Sequence, residues 1–389
     1  MIYLDNNATT KVVPAVLSKM EPYWCEAYAN PSSLYGPASE VRRAIEEARD
    51  QIARCLGLTS SRGIIFTSGG TESNNAAIRS ALRIHTNRRR VVTTAVEHSS
   101  IRNLCQALGK DGYQITTVGV TRSGKIDLSL LEQALGDDVA IVSVMWVNNE
   151  TGVLFPIEKI VELTRKRKIL LHADAVQAVG KIPIDFSRVP VDYLSASSHK
   201  FHGPKGIGFL YVREGVPFHP LVVGGPQERN RRAGTENVSG IIGMAFAMKL
   251  AYELLSESDK AIKGLRDRLE DGLLDSIPDS FVNGCEESRV CNTTNMTIPG
   301  IDAQTFLIRL GQLGIYASSG SACLTGALEP SHVLMAMGLS RELATGSLRF
   351  SLSRYTKSEE IDRVLATVPP LVTELRELRT YKTMSLRGA

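Results

Sequence analysis

Lys200 and Lys205 lie close together in SSHKFHGPKG (197–206), among glycine and proline, with His199 before the first of them. The run follows VDYLSA, which alternates as a short strand does. A strand ending in His-Lys with no helix to continue into reads as a polar turn, unless other strand ends supply partners for an amine. Several do. After IIFT come Ser68-Gly69-Gly70-Thr71-Glu72-Ser73-Asn74, after VVTTAV come Glu97 and His98, and after VSVMWV come Asn148, Asn149 and Glu150. LLHADAVQ contributes Asp174 and Gln177. Ligands of open α/β sheets bind beyond the carboxyl ends of the strands, so these polar ends predict one shared site.

SGGTES is a glycine-rich turn entering a helix, whose free N–H groups suit a phosphate, with Gly70 and the Thr71 hydroxyl in contact. Ser197 and His199 offer two more donors. Asp174 is a strand-end carboxylate that needs a cationic or donor partner if buried. Lys200 is an amine able to form a Schiff base where its neutral form is favoured. An amine for an aldehyde, an acid for a pyridinium nitrogen and donors for a phosphate are the needs of pyridoxal 5′-phosphate. His98 is then the group stacked on the ring and a candidate proton carrier; as plain structure it would be a helix cap. Lys205, further into the Gly-Pro turn, is expected to face solvent or a phosphate.

A second motif, ASSGSACLTG (317–326), surrounds Cys323 with small residues that let other groups approach the thiol. Cys55 and Cys105 instead sit in helical sequence among larger neighbours, as structural cysteines do. The thiolate is the reactive form, which suits Cys323 to a nucleophile's part as well as to an incidental loop position. Arg349, in GSLRFSLSRYT, stands in an extended segment and could clamp a carboxylate through two parallel bonds. Without other context it would be a surface arginine.

The elements that must position these groups follow from hydrophobic periodicity. From residue 60 to 212 strands alternate with helices, which implies an α/β fold with a mainly parallel, helix-covered sheet. VAIVSVMWV is continuously apolar, as a strand buried on both faces must be. ASEVRRAIEEARDQIARCLG is an amphipathic helix stopped by Gly57. CNTTNMTIPG reads as a half-exposed strand, AQTFLIRLGQLG as a helix, IYASS as a short strand and the tail from Ser358 as helix. The 389 residues exceed one compact core. They divide into a large domain over 14–261 and a smaller α+β domain over 1–13 and 262–389.

Composition is that of a soluble globular protein, with 43% apolar and 22% charged residues and a net charge of +4. The clusters Arg88–Arg90 and Arg165–Lys168 fit a loop and a helix C-terminus, where cations complement the dipole, so nucleic-acid binding is not expected. No apolar run is long enough for a membrane span and the N-terminus is not a signal peptide. Six cysteines without a CxxC pair fit a reducing cytoplasm and argue against disulfides or structural zinc.

Read together, LDNNATT, NPSS, FTSGGTESNN, VEHSS, VNNETG, HADAVQ, SSHKFHGPKG, RRAGTEN, SSGSAC and LRFSLSRYT make the chain resemble, nearly end to end, the cysteine desulfurases of the NifS/IscS group. These are class V aminotransferases of fold type I. SACLTGALEPSHVL and SLRFSLSRYT are similar to the nitrogenase-associated NifS branch. The resemblance implies that Lys200 holds the cofactor, Asp174 pairs with the ring nitrogen, Gln177 bonds the ring oxygen and His98 stacks on the ring. Gly70, Thr71, Ser197 and His199 would hold the phosphate, together with Ser198 in the same run, a position where the family often has glycine. Thr235 in RRAGTEN is similar to the threonine that reaches the phosphate from the partner subunit of a homodimer. Asn149 and Arg349 would bind the substrate carboxylate, with Asn149 also counted at the cofactor. Pro226 and Asn230 stand where the family leads one to expect glycines, and would stiffen the loop before Thr235.

The activity so implied takes sulfur from L-cysteine, leaves L-alanine and turns Cys323 into a persulfide. The acceptor would be a scaffold protein that builds iron–sulfur clusters, including those for nitrogenase. Cys323 would be able to ligate a transient [2Fe-2S] cluster there. A selenocysteine lyase or aminotransferase on the same fold is the alternative, and an aminotransferase would have no use for Cys323. An inactive partner that only docks the scaffold would not need Lys200, Asp174 and His98 together.

Overall fold

The computed structural model describes residues 1–186, 188–319 and 329–387. The chain opens with the two-residue strand β1 (Ile2–Tyr3). A seven-stranded sheet follows, made of β2 (Ile64–Thr67), β3 (Arg90–Thr94), β4 (Gln114–Val118), β5 (Val139–Met145), β6 (Leu170–Asp174), β7 (Tyr193–Ser197) and β8 (Gly208–Val212), in the order β2-β8-β7-β6-β5-β3-β4. All of its neighbours are parallel except those of β8, which runs antiparallel to β7 and β2. That reversal explains the missing helix after His199-Lys200. Antiparallel neighbours need no crossover, so the chain turns straight back into β8.

Every residue of β5 is buried, as its unbroken apolar run requires. Successive residues serve opposite faces: Val91 packs with Ile65, Ile141 and Leu210 beneath helices Gly70–Ile84 and Ser99–Lys110. Val92 packs with Val142, Leu171 and Phe209 beneath helices Gly36–Cys55, Ile157–Lys166 and Val238–Glu253. Helix Gly36–Cys55 stops two residues before Gly57, whose φ of +66° lies in the left-handed region that favours glycine.

A second core gathers Ile2, Leu4, Leu269, Met296, Phe306, Ile315, Phe350 and Val364. It contains β9 (Phe281–Val282), β10 (Thr293–Thr297), β11 (Ile315–Tyr316) and β12 (Ser347–Ser351), with β12-β10-β9 antiparallel and β1 parallel to β11. The expectation of a half-exposed strand at CNTTNMTIPG is corrected, because all five residues of β10 are buried. Its polar side chains meet protein instead of water. Asn295 Oδ1 accepts from Asn283 at 2.7 Å, Thr297 Oγ1 shares a 2.8 Å bond with Ser347, and Thr293 Oγ1 accepts from Asn7 at 2.8 Å.

No single helix among the described residues is long and apolar enough to cross a membrane. The basic run at 88–90 is tied locally, with Arg90 paired to Asp138 at 2.8 Å and Arg89 over the Tyr113 ring.

Candidate active site

The glycine-rich turn after β2 leads directly into helix Gly70–Ile84. A Cβ at Gly70 would come within 2.7 Å of Val176 Cγ2, so only glycine leaves this amide open to the cavity. Glu72 closes the turn by accepting from Ser68 N at 2.8 Å and pairing with Arg232 at 3.0 Å. Burial would raise its carboxyl, but the bonds from Arg232 and Ser68 hold it below its ordinary value.

Asp174 ends β6, buried, and accepts from Val176 N at 3.0 Å and from Asn74 Nδ2 at 2.8 Å. Asn74 also donates to Ser100 Oγ at 2.9 Å, and Ser100 Oγ lies 2.9 Å from His98 Nδ1. Ser100 N donates to the same ring nitrogen at 3.2 Å, which makes Nδ1 an acceptor and places the proton of the neutral ring on Nε2. Desolvation by the pocket walls lowers the His98 pKa, with Lys200 adding to the effect and Asp174 opposing it. His98 is thus the N-cap of helix Ser99–Lys110 and also a member of a bonded chain that ends on Asp174.

Lys200 closes the short turn after β7, and its Nζ donates to Asn7 O and Ala8 O, each at 2.7 Å. Burial pushes its pKa down to about 8, repulsion from Arg349 adds to this, and Asp5 and Asp174 oppose it. The amine is therefore far closer to its nucleophilic form at neutral pH than an ordinary lysine. Gln177 donates to Asn7 O at 2.9 Å and accepts from Lys181 at 2.5 Å. His199 Nδ1 lies 3.1 Å from Thr9 Oγ1, and burial lowers its pKa to about 4. Arg349 is buried on β12, held by Asp5 at 2.7 Å and by Asn149 O at 2.9 Å.

These residues line one pocket of about 560 Å³: Gly70, Thr71, His98, Asn149, Asp174, Gln177, Ser197, His199, Lys200 and Arg349. One expected contact is not there. Ser198 is fully buried, and its Oγ stands where a Cβ on Gly203 would lie only 2.0 Å away, so it packs inside the turn. Thr235 is exposed and outside the pocket lining. Lys205 is exposed. Cys323 lies outside the described residues, but Ser318 on one side of it and Glu329 and Pro330 on the other line the pocket. Glu97 and Glu150 are buried beside the site and serve its frame: Glu97 accepts from Thr94 at 2.6 Å and Met145 N at 3.0 Å, and Glu150 from Ser331 at 2.5 Å.

The pocket has the polarity that a phosphorylated pyridine aldehyde requires. An amine, a buried carboxylate and an open helix N-terminus converge there, and Arg349 Nε and Asn74 Oδ1 are buried with no partner among the described residues. Asn7, Ser100 and Lys181 were not predicted as site residues, whereas Asn74 was among the polar strand-end residues but was given no role of its own.

The chain matches the family model for aminotransferase class-V over residues 2–364. It is 52% identical over 381 residues to "Cysteine desulfurase 2" of Trichormus variabilis, covering 98% of this chain and 95% of that protein. It is 47% identical to "Cysteine desulfurase NifS" of Azotobacter vinelandii, covering 98% and 94%. Among solved structures, a NifS-like protein superposes with a TM-score of 0.88 at 38% identity over 98% of this chain and 99% of that one. SspA in complex with cysteine does so with a TM-score of 0.81 at 31% identity, over 92% and 100%.

Proposed function

This chain belongs to the aminotransferase class-V family, as one of its pyridoxal phosphate-dependent cysteine desulfurases, and we propose that Cys323 takes the sulfur of L-cysteine at the pocket built around Lys200. The observation that carries the reading is the convergence of Lys200, Asp174 and Arg349 in a cavity whose wall includes residues on both sides of Cys323.

Pyridoxal phosphate, when bound, supplies an electron sink that allows the substrate Cα to give up its proton. Gly70, Thr71, Ser197 and His199 would hold its phosphate, and Asp174 would supply the acid for its ring nitrogen. Arg349 takes the substrate carboxylate, with Asn149 beside it. Lys200, with its lowered pKa, accepts a proton as the free amine, and His98 holds one at Nε2. The thiolate of Cys323 forms a bond to the substrate sulfur as the carbon–sulfur bond breaks. The carbon takes up protons and leaves as L-alanine, and Cys323 keeps the sulfur as a persulfide.

The sulfur acceptor is an iron–sulfur scaffold protein, with nitrogenase maturation as one setting and a transient [2Fe-2S] cluster at Cys323 as one state of the complex. A relative named NifS, from Azotobacter vinelandii, supports the nitrogenase setting alone. The working unit is a cytoplasmic homodimer in which Thr235 reaches the neighbouring subunit's phosphate site; its exposed position outside its own pocket supports that role. The separate core around Ile2, Leu269, Phe306 and Phe350 supports a small domain over 1–13 and 262–389 beside a large one over 14–261, although Val290, Val333, Leu334 and Met337 of the small segment pack into the core of the large one.

The test is incubation of the holoenzyme with L-cysteine and a thiol, with alanine and sulfide measured together. Equal yields are expected, and Cys323→Ser should keep the yellow cofactor band while sulfide release collapses. Near-normal alanine formation by that variant would move the chemistry to a lyase or an aminotransferase.

A further inference from the structure

A second, smaller cavity of about 60 Å³ shares Lys200 with the open pocket, and its walls include Lys181, Asp259, Cys291 and Arg354. Lys181 lies four residues beyond Gln177 in a run of turns, half-buried, with its amine enclosed. Its Nζ donates to Gln177 Oε1 at 2.5 Å and to Asn7 Oδ1 at 2.9 Å. The Nζ of Lys200 donates to Asn7 O and Ala8 O, each at 2.7 Å. One asparagine thus accepts from both amines, through its backbone oxygen for one and its side-chain oxygen for the other. Asn7 is itself fixed, donating from Nδ2 to Thr293 Oγ1 at 2.8 Å and Asn149 O at 3.1 Å. All four acceptors at the two amines are neutral amide oxygens, with no carboxylate among them. Two ammonium groups held on one enclosed residue without a bonded counter-charge repel each other strongly.

We infer that Lys181 and Lys200 form an amine pair holding one proton between them at neutral pH, so that Lys181 carries the positive charge whenever Lys200 acts as the free base. This rests on Lys200 being the cofactor-bearing amine. Lys181 is a positioning residue, acting through Asn7 and Gln177. The exchange needs no other reactant: a proton leaves Lys200 Nζ, one arrives at Lys181 Nζ, and water carries both.

The titrating groups agree with the geometry. Burial lowers Lys181 to about 7, the charges of Lys200 and Arg349 push in the same direction, and Cys291 opposes. Burial and Arg349 lower Lys200 to about 8, against Asp5 and Asp174. His98 feels the charge of Lys200, His202 that of Lys181, and His199 both, while Asp259 and Arg354 share the cavity wall. The pair titrates as a unit, in two macroscopic steps.

The test is pulse acetylation of the cofactor-free full chain with acetic anhydride across pH, read at Lys181 and Lys200 by peptide mass spectrometry. In the wild type one of the two amines should lose its proton near neutrality, well below the ordinary lysine value of about 10.4. Lys181→Arg fixes the charge and Lys181→Met removes it, so the Lys200 midpoint should be lower in the Arg variant by about one pH unit. The pH midpoint of the visible cofactor band in the holoenzymes should follow the same order. Ordinary lysine titrations at both Lys181 and Lys200 in the wild type, or equal Lys200 midpoints in the two variants, overturn the inference. The wild-type measurement does not depend on either variant folding. Should Lys200→Ala keep the visible band, the assignment of Lys200 fails instead, and the labelling of the cofactor-free chain decides the pairing by itself.

Discussion

Arg349 is the residue proposed to bind the substrate carboxylate. Its guanidinium is almost wholly enclosed, with one nitrogen on Asp5, one on Asn149 O and Nε without a partner among the described residues. A substrate carboxylate entering the pocket meets a fork already aimed and desolvated, so little ordering is left to be done on binding. Lysine at this position would keep the charge and lose the two parallel bonds. Arg349→Lys should therefore raise KM for L-cysteine by roughly 10- to 100-fold, the weight of about 1.5–3 kcal/mol for a charge-assisted bond, with a smaller effect on kcat. Steady-state kinetics check it, and an unchanged KM would place the carboxylate elsewhere. Lys200, Asp174 and His98 were legible as pocket residues because each stands at or near the end of a strand in a recognisable motif, and Arg349 because it stands within an extended one. Asn7 and Lys181 were not. Asn7 meets Lys200 across 193 positions of chain and Lys181 across 174, and no spacing rule reaches that far.

At the level of elements, strands and helices were readable because apolar periodicity is local, whereas the direction of β8 and the full burial of β10 were not, because both depend on what packs beside them. The segment before Thr235 shows the same limit. Its Pro226 and Asn230 replace expected glycines without strain of their own. Pro226 has a φ of −81°, near the range its ring imposes, and Asn230 takes a φ of +62°, which asparagine tolerates better than most residues. Its neighbours carry the strain, since Glu228 and Arg229 are also left-handed, at φ +46° and +59°. The Glu228 carboxylate holds them there. It binds Arg49 at 2.7 and 2.8 Å and accepts from Phe66 N at 2.9 Å, all buried. Removing Arg49 strands that carboxylate in the interior, so Arg49→Met should destabilise the chain by about 3–5 kcal/mol in urea unfolding. The double variant Arg49→Met/Glu228→Gln should recover a large part of the loss. A double variant as unstable as the single one would show that strain, rather than the unpaired charge, dominates.

Two properties belong to the whole molecule. One is the set of exposed apolar side chains Leu17, Trp24, Tyr28, Leu34 and Tyr35 near the start of the chain, with Leu34 at 95% exposure, which are the kind of groups a partner subunit covers. Sedimentation at micromolar concentration should give a dimer, and Trp24→Glu/Leu34→Glu should give a monomer that loses cofactor more readily if Thr235 acts across the interface. An active wild-type monomer would refute this. The other is the response of stability to acid. Burial lowers His172, His199, His202 and His332 each to about 4. An unfolded histidine titrates near 6.5, so between pH 4 and 6.5 the unfolded chain binds protons that the folded chain refuses. Their contribution is complete above 6.5 and is lost as pH falls towards 4. Glu97 has the opposite sign. Burial raises it to about 8, so its contribution is complete below about 4.5 and is lost as pH rises through 8. Four groups outweigh one over the shared window, so the Tm of the cofactor-free chain should climb between pH 4.5 and 6.5. Surface carboxylates are mostly ionised throughout that window, which leaves the histidines as the main source of slope. Between 6.5 and about 7 Glu97 alone lowers the Tm; above about 7 Lys181, and above about 8 Lys200, are lowered in the folded chain and act in the opposite direction, so the decline stops there, and Glu97→Gln should remove it while leaving the rise on the acid side in place. Scanning fluorimetry of both proteins measures the two limbs. A flat profile from 4.5 to 6.5 would mean that the four rings are accessible to protons in the folded state, which their burial on β6, around the Lys200 turn and in helix His332–Ala336 argues against.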